Sequence, residues 1–402
     1  MNELEQRIYE EAKRDHEYVV SLRRHFHRYP ELSAKEYNTA LKIEEELDNI
    51  GVSHQRIGET GVFAEIKGSL PGNKTIVLRA DIDALAIEEQ HISDYSSKIK
   101  GVMHACGHDA HAACLLGAAR ILSNHRDWFG GTVRLAFQQG EEIGYGAKIF
   151  IEQGCLKNAD RCFGIHVASN VDKGSVVAME GPNNASVDWF KITVEGKPAH
   201  VSTPERGVDA AYIASQIVVS LQALITRRTS PMDNVLIGIG KINAGTAYNI
   251  VAQRAELEGT IRVFTPEIRR ETKENLENLA KSVASVYGGS AFVEWKDFTS
   301  PLINDKTATR EAQAVAASLL GRDKVILKRS PSLGGDDFAE FILQAPGVYV
   351  FVGSRNKERF ETTVAHHNSY FDIDEESLLV GTAMYACYTV ESVSYTHLRA
   401  HE

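Results

Sequence analysis

Cysteine is scarce: Cys106, Cys114, Cys155, Cys162 and Cys387 are the five in 402 residues. Their odd number and irregular spacing exclude a disulfide framework, so free thiols are expected. Apolar runs stay well short of the ~20 residues that a membrane-spanning helix needs. The opening Met1-Asn2-Glu3-Leu4-Glu5 is acidic and lacks the basic-then-apolar order of a signal peptide. A cytoplasmic protein with no membrane partner is the expectation. Excess basic charge is missing too: 44 Lys and Arg stand against 54 Asp and Glu, for a formal net charge of −10. A nucleic-acid surface needs the opposite balance to neutralise phosphates, so no nucleic-acid partner is expected and small-molecule substrates stay open. No internal repeat or low-complexity tract is present.

What is there reads as a folded protein, 43% hydrophobic and 24% charged. A chain of this length exceeds one ordinary core and points to roughly two to three domains. The densest chemistry is in Met103-His104-Ala105-Cys106-Gly107-His108-Asp109-Ala110-His111. Cys106 and His108 flank a glycine whose backbone freedom lets both side chains turn toward one point. A thiolate beside an imidazole suits a divalent transition metal. The competing reading is a helix N-terminus with an incidental buried cysteine.

Helical periodicity runs from Leu4 to about Ile50, broken at Tyr29-Pro30-Glu31. Strands are expected at Gly61 to Lys67, Thr75 to Ala80, Thr132 to Phe137 and Arg161 to Ile165, with a turn at Pro71-Gly72-Asn73 and helices at His108 to Leu122 and Ala147 to Glu152. This alternation predicts a mostly parallel, two-sided α/β sheet. Asp81, Asp83, Glu141, Glu142 and His166 all fall just beyond strand ends, where open α/β sheets gather their ligands.

After the turn-rich Gly181-Pro182-Asn183-Asn184 the order becomes β-α-β-β-α-β, which predicts an inserted ferredoxin-like α+β unit with an exposed edge suited to association. Helix-strand alternation resumes after Phe298-Thr299-Ser300-Pro301. The expected layout is a discontinuous catalytic domain, 1–182 and 299–392, with a lid and dimerisation domain at 183–298. The tail 393–402 resembles the translation of a sequencing-library adaptor and is expected to be non-native, so His397 and His401 carry no weight.

The candidate donors are Cys106, His108, Glu142, His166 and one of His366 or His367. Five donors at wide spacing exceed what one four-coordinate structural zinc uses, and two neighbouring ions fit better. Such a pair polarises a carbonyl and acidifies a bridging water. The Glu141-Glu142 doublet then divides between metal binding and proton transfer. A thiol hydrolase with Cys106 as nucleophile is the rival enzyme class.

Together with Gln138 through Glu142, Gly164-Ile165-His166-Val167, Asn243-Ala244-Gly245-Thr246-Ala247-Tyr248-Asn249, Gly259-Thr260-Ile261-Arg262 and His367-Asn368, the opening motif resembles the aminoacylase-like metallopeptidase family. The branch it is most similar to contains hippurate hydrolases and plant hydrolases of auxin amino-acid conjugates, and the likeness extends in order to about Ser392. The resemblance implies two divalent metal ions per subunit, manganese, zinc or cobalt. It implies Cys106, His108, Glu142, His166 and His367 as ligands, the thiolate bridging, and Glu141 as the base that activates water and protonates the leaving amine. His200 corresponds to a lid histidine that steadies the tetrahedral oxyanion, and Asn249 and Arg262 to holders of a substrate carboxylate. Asp81 and Asp83 are expected to orient ligands, His104 and His111 to support the ligands or lie on the helix surface rather than bind metal, and His366 to stand by.

The implied activity is hydrolysis of N-acyl amino acids by a homodimer. Dipeptide hydrolysis, N-acetyl-diaminopimelate deacetylation and a non-catalytic metal carrier remain as alternatives. Three departures from the family pattern, Gln139-Gly140, Ala110 and Gly335-Asp336-Asp337-Phe338, touch substrate preference and leave the ligands and the base in place.

Overall fold

The computed structural model describes residues 1–394; the expected adaptor tail lies, from residue 395 on, outside the described residues. The chain divides into two compact units. The first comprises Met1–Gly181, Ile303–Ser330 and the chain from Asp336, and the second Pro182–Leu302 with Pro331–Gly335.

The first unit opens with three helices, α1 (Glu3–Arg14), α2 (His16–Arg28) and α3 (Tyr37–Asn49). Periodicity had marked the break at Tyr29-Pro30; a second one falls at Asp15, which ends α1 and starts α2. Strands β1 (His54–Ile57), β2 (Gly61–Lys67) and β3 (Leu70–Asp81) follow. The turn expected at Pro71-Gly72-Asn73 lies inside β3, where the register against its neighbour shifts between Leu70 and Thr75. Then come α4 (His108–Asn124), β4 (Gly130–Gln138), α5 (Gly146–Glu152), β5 (Arg161–Asp172) and β6 (Val176–Val177). His166 is therefore within a strand, not beyond its end, because β5 runs six residues further. The residues expected as a linker form β7 (Gly181–Asn184).

The second unit holds β8 (Val187–Glu195), α6 (Ala210–Ala223), β9 (Val235–Ala244), β10 (Arg254–Val263), α7 (Pro266–Val286) and β11 (Ser290–Thr299). Its strands pair antiparallel in the order β11-β8-β10-β9, the ferredoxin-like arrangement expected from the element order. By length and composition the stretch Ala210–Arg228 is apolar enough to cross a membrane. Its Ile213, Ala214, Ile217 and Leu221 are instead the core side of α6, packed with Phe190, Ile192 and Leu257 of the sheet.

The chain continues through β12 (Leu302–Asn304), α8 (Lys306–Leu320), β13 (Val325–Ile326), α9 (Phe338–Ile342), β14 (Gly347–Arg355) and α10 (Glu376–Ser394). An eight-stranded sheet of order β1-β2-β4-β3-β5-β14-β6-β13 forms the frame of the first unit. Its centre is parallel: β3 pairs in parallel with β4 and β5, and β5 with β14. Alternation of side chains assigns the two faces. Ile76, Leu78 and Ala80 of β3, Phe163, Ile165 and Val167 of β5, and Val348, Val350 and Val352 of β14 join one cluster with α1, α2, α4, α8 and α10. Helix α4 is almost wholly enclosed, packed against α2 and α10.

The intervening residues, Arg79 and Asp81 of β3, Gln138 of β4, His166 of β5, and Tyr349 and Phe351 of β14, share the opposite face. There Phe338 of α9 stacks on Tyr349 with ring centroids 5.2 Å apart. This face carries a buried charged cluster, where the other is mainly apolar packing. Arg79 is fully buried and donates to Gln138 Oε1 at 2.9 Å, Asp81 Oδ2 at 2.5 Å and Asp337 Oδ1 at 2.8 Å. Replacing Arg79 by Met strands Asp81 and Asp337 without a counter-charge. Urea denaturation of the metal-free protein is expected to show a loss of about 3–5 kcal/mol, the usual cost of breaking one side of a buried ion pair.

Candidate metal centre

Helix α4 begins at His108 because Gly107 before it takes φ +90°, a backbone conformation L side chains rarely adopt. A Cβ there would lie 2.3 Å from Val167 Cγ2, so a glycine is required at this spot on steric grounds as well. The turn aims Cys106 and His108 into one space. Gly140, at φ +61°, does the same for Glu141 and Glu142 as the chain leaves β4. His367 is itself left-handed at φ +64°, a strained conformation for a non-glycine residue, and its N–H donates to the Ala105 carbonyl at 2.8 Å.

Five donor sets result among the described residues, and two of them share Cys106. In one, donor atoms of Cys106, His108 and His166 lie within 4.8 Å of one another, and in the other those of Cys106, Glu142 and His367 do. Cys106 Sγ is 3.5 Å from His166 Nε2, and His367 Nε2 is 3.4 Å from Glu142 Oε1. Hydrogen bonds select which imidazole nitrogen faces inward. His108 donates from Nδ1 to the Asp83 carbonyl at 2.9 Å, and His166 from Nδ1 to the Val167 carbonyl at 2.6 Å. Each ring therefore turns an Nε2 lone pair toward the shared space. Asp83 is held in turn by Ser33 Oγ at 2.7 Å and the Glu142 N–H at 3.1 Å.

Two orphaned atoms test whether these residues fit metal. His108 Nε2 and Glu142 Oε1 are buried without a hydrogen-bond partner among the described residues, 3.9 Å apart. Buried acceptors left this way are costly, and a cation between them satisfies both. Charge points the same way. Burial, with Glu142 next to it, holds the Cys106 thiol well above its ordinary range. Burial and then Asp336, Glu142 and Asp337 push Glu141 well above the ordinary carboxylate range. Such crowded acids accommodate cations.

The other histidines separate cleanly. His111 Nε2 accepts the Val167 N–H at 2.9 Å while Nδ1 meets Asp81 Oδ1 at 2.5 Å, so neither nitrogen is left for metal. Asp81 is thus tied between Arg79 and His111. His366 Nε2 is engaged with the Val167 carbonyl at 3.0 Å, which distinguishes it from His367. His104 is buried, with no hydrogen-bond partner for either nitrogen among the described residues.

In the second unit, His200 is exposed and its Nδ1 accepts the Ser202 N–H at 3.1 Å, which leaves the proton on Nε2. His200 bridges to Ile250, and the exposed Asn249 accepts the Val201 N–H at 3.1 Å. Arg262 is half-buried on β10, and burial lowers its pKa. It has no ion pair among the described residues.

Sequence reasoning missed Arg79 and gave Asp336 and Asp337 no role beyond a departure from pattern. Arg79 had a signal, a lone charge inside the apolar run Thr75 to Ala80. Asp337 accepts from Arg79 and from Gln138 Nε2 at 2.8 Å, and Asp336 from the Tyr349 hydroxyl at 2.5 Å.

Comparison with known proteins gives a consistent picture. The profile of peptidase family M20/M25/M40 matches residues 77–391. Thermostable carboxypeptidase 1 of Saccharolobus solfataricus is 36% identical over 97% of this chain and 99% of its own length. N-acetylcysteine deacetylase of Bacillus subtilis is 38% identical over 92% of this chain and 96% of its own. The crystal structure of the Bacillus subtilis YXEP protein, described as a dinuclear metal binding peptidase from the M20 family, superposes with a TM-score of 0.83 at 35% identity, over 95% of this chain and 99% of that one.

Replacing Asp83 by Ala keeps the backbone carbonyl but removes the carboxylate whose Oδ1 lies 3.2 Å from His108 Nδ1 and whose Oδ2 accepts the Glu142 N–H, and is expected to weaken metal binding roughly 10- to 100-fold, as loss of support behind the ligands does. Competition with a metal indicator dye would measure it.

Proposed function

The chain belongs to peptidase family M20/M25/M40, and from that premise we propose that it is a metal-dependent amidohydrolase. It cleaves the amide bond of N-acyl amino acids, releasing a carboxylic acid and a free amino acid. The observation that carries this reading is the sharing of Cys106 between two donor sets, with Glu141 grouped with His108 and Glu142 in a further one.

Cys106, His108 and His166 with Glu142 and His367 would hold two divalent cations, for which we propose manganese or zinc, with cobalt as a substitute. Bound there, such a pair would supply Lewis acidity to the scissile carbonyl and lower the pKa of a bound water. The remaining work falls to this chain's own groups. Glu141 takes the proton from the attacking water on its carboxylate oxygen. It then delivers that proton to the amide nitrogen as the carbon–nitrogen bond breaks. The raised proton affinity of Glu141, set by burial and the nearby acids, suits a group that must both accept and return a proton.

Within the same proposal, Nε2–H of His200 donates to the oxyanion of the tetrahedral intermediate, and Asn249 and Arg262 hold the substrate carboxylate. The half-buried guanidinium of Arg262 without an ion-pair partner supports this assignment. Association of two copies through the second unit is likewise proposed. It is supported by the edge strand β9, which presents exposed Leu236 and Ile242. The carboxypeptidase among the relatives makes short peptides the second substrate class to test, since they share the amide and the free carboxylate.

The deciding experiment measures amino-acid release from N-acetyl and N-benzoyl amino acids and from dipeptides, with protein stripped by chelator and refilled with manganese, zinc or cobalt. Activity is expected to return only with metal and to favour N-acyl amino acids. Turnover by the stripped protein would exclude this mechanism and favour Cys106 as nucleophile. Glu141→Gln is expected to keep its metal content and to lose roughly 10²- to 10⁴-fold in kcat, the usual weight of general acid–base catalysis. Arg262→Ala is expected to raise KM roughly 10- to 100-fold, the weight of a charge-assisted hydrogen bond, measured by initial rates on the best substrate.

A further inference from the structure

Buried arginines in the first unit come with carboxylates. Arg23 pairs with Asp109 at 2.8 Å and Asp372 at 2.7 Å, Arg79 with Asp81 and Asp337, and the partly buried Arg161 with Glu311 at 3.0 Å. Arg329 breaks the pattern. It is half-buried, its Nε is buried with no hydrogen-bond partner, and it has no ion pair among the described residues. Its guanidinium carbon lies 3.5 Å from the centre of the Phe351 ring. Burial without an adjacent anion pulls its pKa down to about 10, so it remains charged at neutral pH. A desolvated cation on an aromatic face recovers only part of what it lost on leaving water.

The place of that cation gives it meaning. Phe351 stands opposite His166 in the parallel register of β14 and β5, on the same face of the sheet, with ring centroids 6.0 Å apart. One aromatic ring therefore separates Arg329 from a residue of the metal centre. A planar guanidinium stacked on a ring keeps its N–H edge in fixed orientation and suits a carboxylate. Since Arg262 is already assigned to one substrate carboxylate, Arg329 is available for another.

We infer that Arg329 binds a second carboxylate of the substrate, so that the enzyme selects N-acyl amino acids with an additional acidic group on either the acyl chain or the amino-acid side chain. This inference rests on the amidohydrolase reading for the reaction and on Arg329 alone for the selectivity.

The test compares acidic and neutral partners on the metal-loaded full chain: N-acetylglutamate against N-acetylglutamine for the side-chain arm, and N-succinylalanine against N-butyrylalanine for the acyl arm. In at least one pair the acidic member is expected to have a kcat/KM roughly 10-fold or more above its neutral partner, mainly through KM, as one charge-assisted hydrogen bond provides. Arg329→Met is expected to bring that ratio close to one, and Arg329→Lys to restore part of it. Whichever arm responds identifies where the second carboxylate sits. A wild-type ratio near one in both arms would overturn the inference. So would a ratio unaltered by Arg329→Met, or a loss in that variant shared equally by acidic and neutral substrates.

A binding arm needs no turnover. Calorimetry is expected to show glutarate binding roughly 10-fold more tightly than butyrate to wild type, with the difference absent in Arg329→Met. If no N-acyl amino acid is cleaved but this difference appears, the reaction reading fails and the Arg329 assignment stands. If cleavage occurs without it, the reverse holds.

Discussion

Uncompensated negative charge is the constraint on which the rest of this structure depends. Asp81, Asp83, Glu141, Glu142, Asp336 and Asp337 converge at one end of the central strands, with the Cys106 thiol beside them. Arg79 neutralises part of this from beneath, donating to both Asp81 and Asp337. The remainder faces the orphaned atoms of His108 and Glu142, where divalent cations would complete the charge balance.

The sheet solves the problem of bringing such groups together by period-two alternation. Along β3, β5 and β14 one set of side chains joins the large apolar cluster, and the set between them supplies Arg79, Asp81, His166, Tyr349 and Phe351. A buried parallel centre gives those side chains a rigid base. The orienting contacts then come from backbone carbonyls and carboxylates: Asp83 for His108, the Val167 carbonyl for His166 and the Val167 N–H for His111. Val167 and its neighbours thus settle which imidazoles present a free nitrogen and which do not.

Arginine has two uses in this molecule, and its partners tell them apart. Guanidinium groups with carboxylates in reach, as at Arg23, Arg79 and Arg161, hold elements together. Arg262 and Arg329, both half-buried, have no ion pair among the described residues, and these are the two proposed to meet substrate carboxylates.

Much of this was legible in the chain because the informative signals were local. Cys106 and His108 flank a glycine whose left-handed φ could be anticipated from residue type alone, and the β-α-β-β-α-β order announced the ferredoxin-like sheet. The tail beyond residue 394 was judged only as sequence. Tertiary structure decided what depends on partners distant in the chain. It showed that the His367 ring reaches Glu142 while that of His366 is taken by the Val167 carbonyl, contacts that the adjacency of the two in sequence does not report. It placed His166 within a strand, and it linked Arg79 to Asp337 across 258 positions. Spacing and periodicity report which side chains leave the backbone in the same direction. Whether a donor is free or already satisfied depends on groups from remote strands, and that only the folded chain brings together.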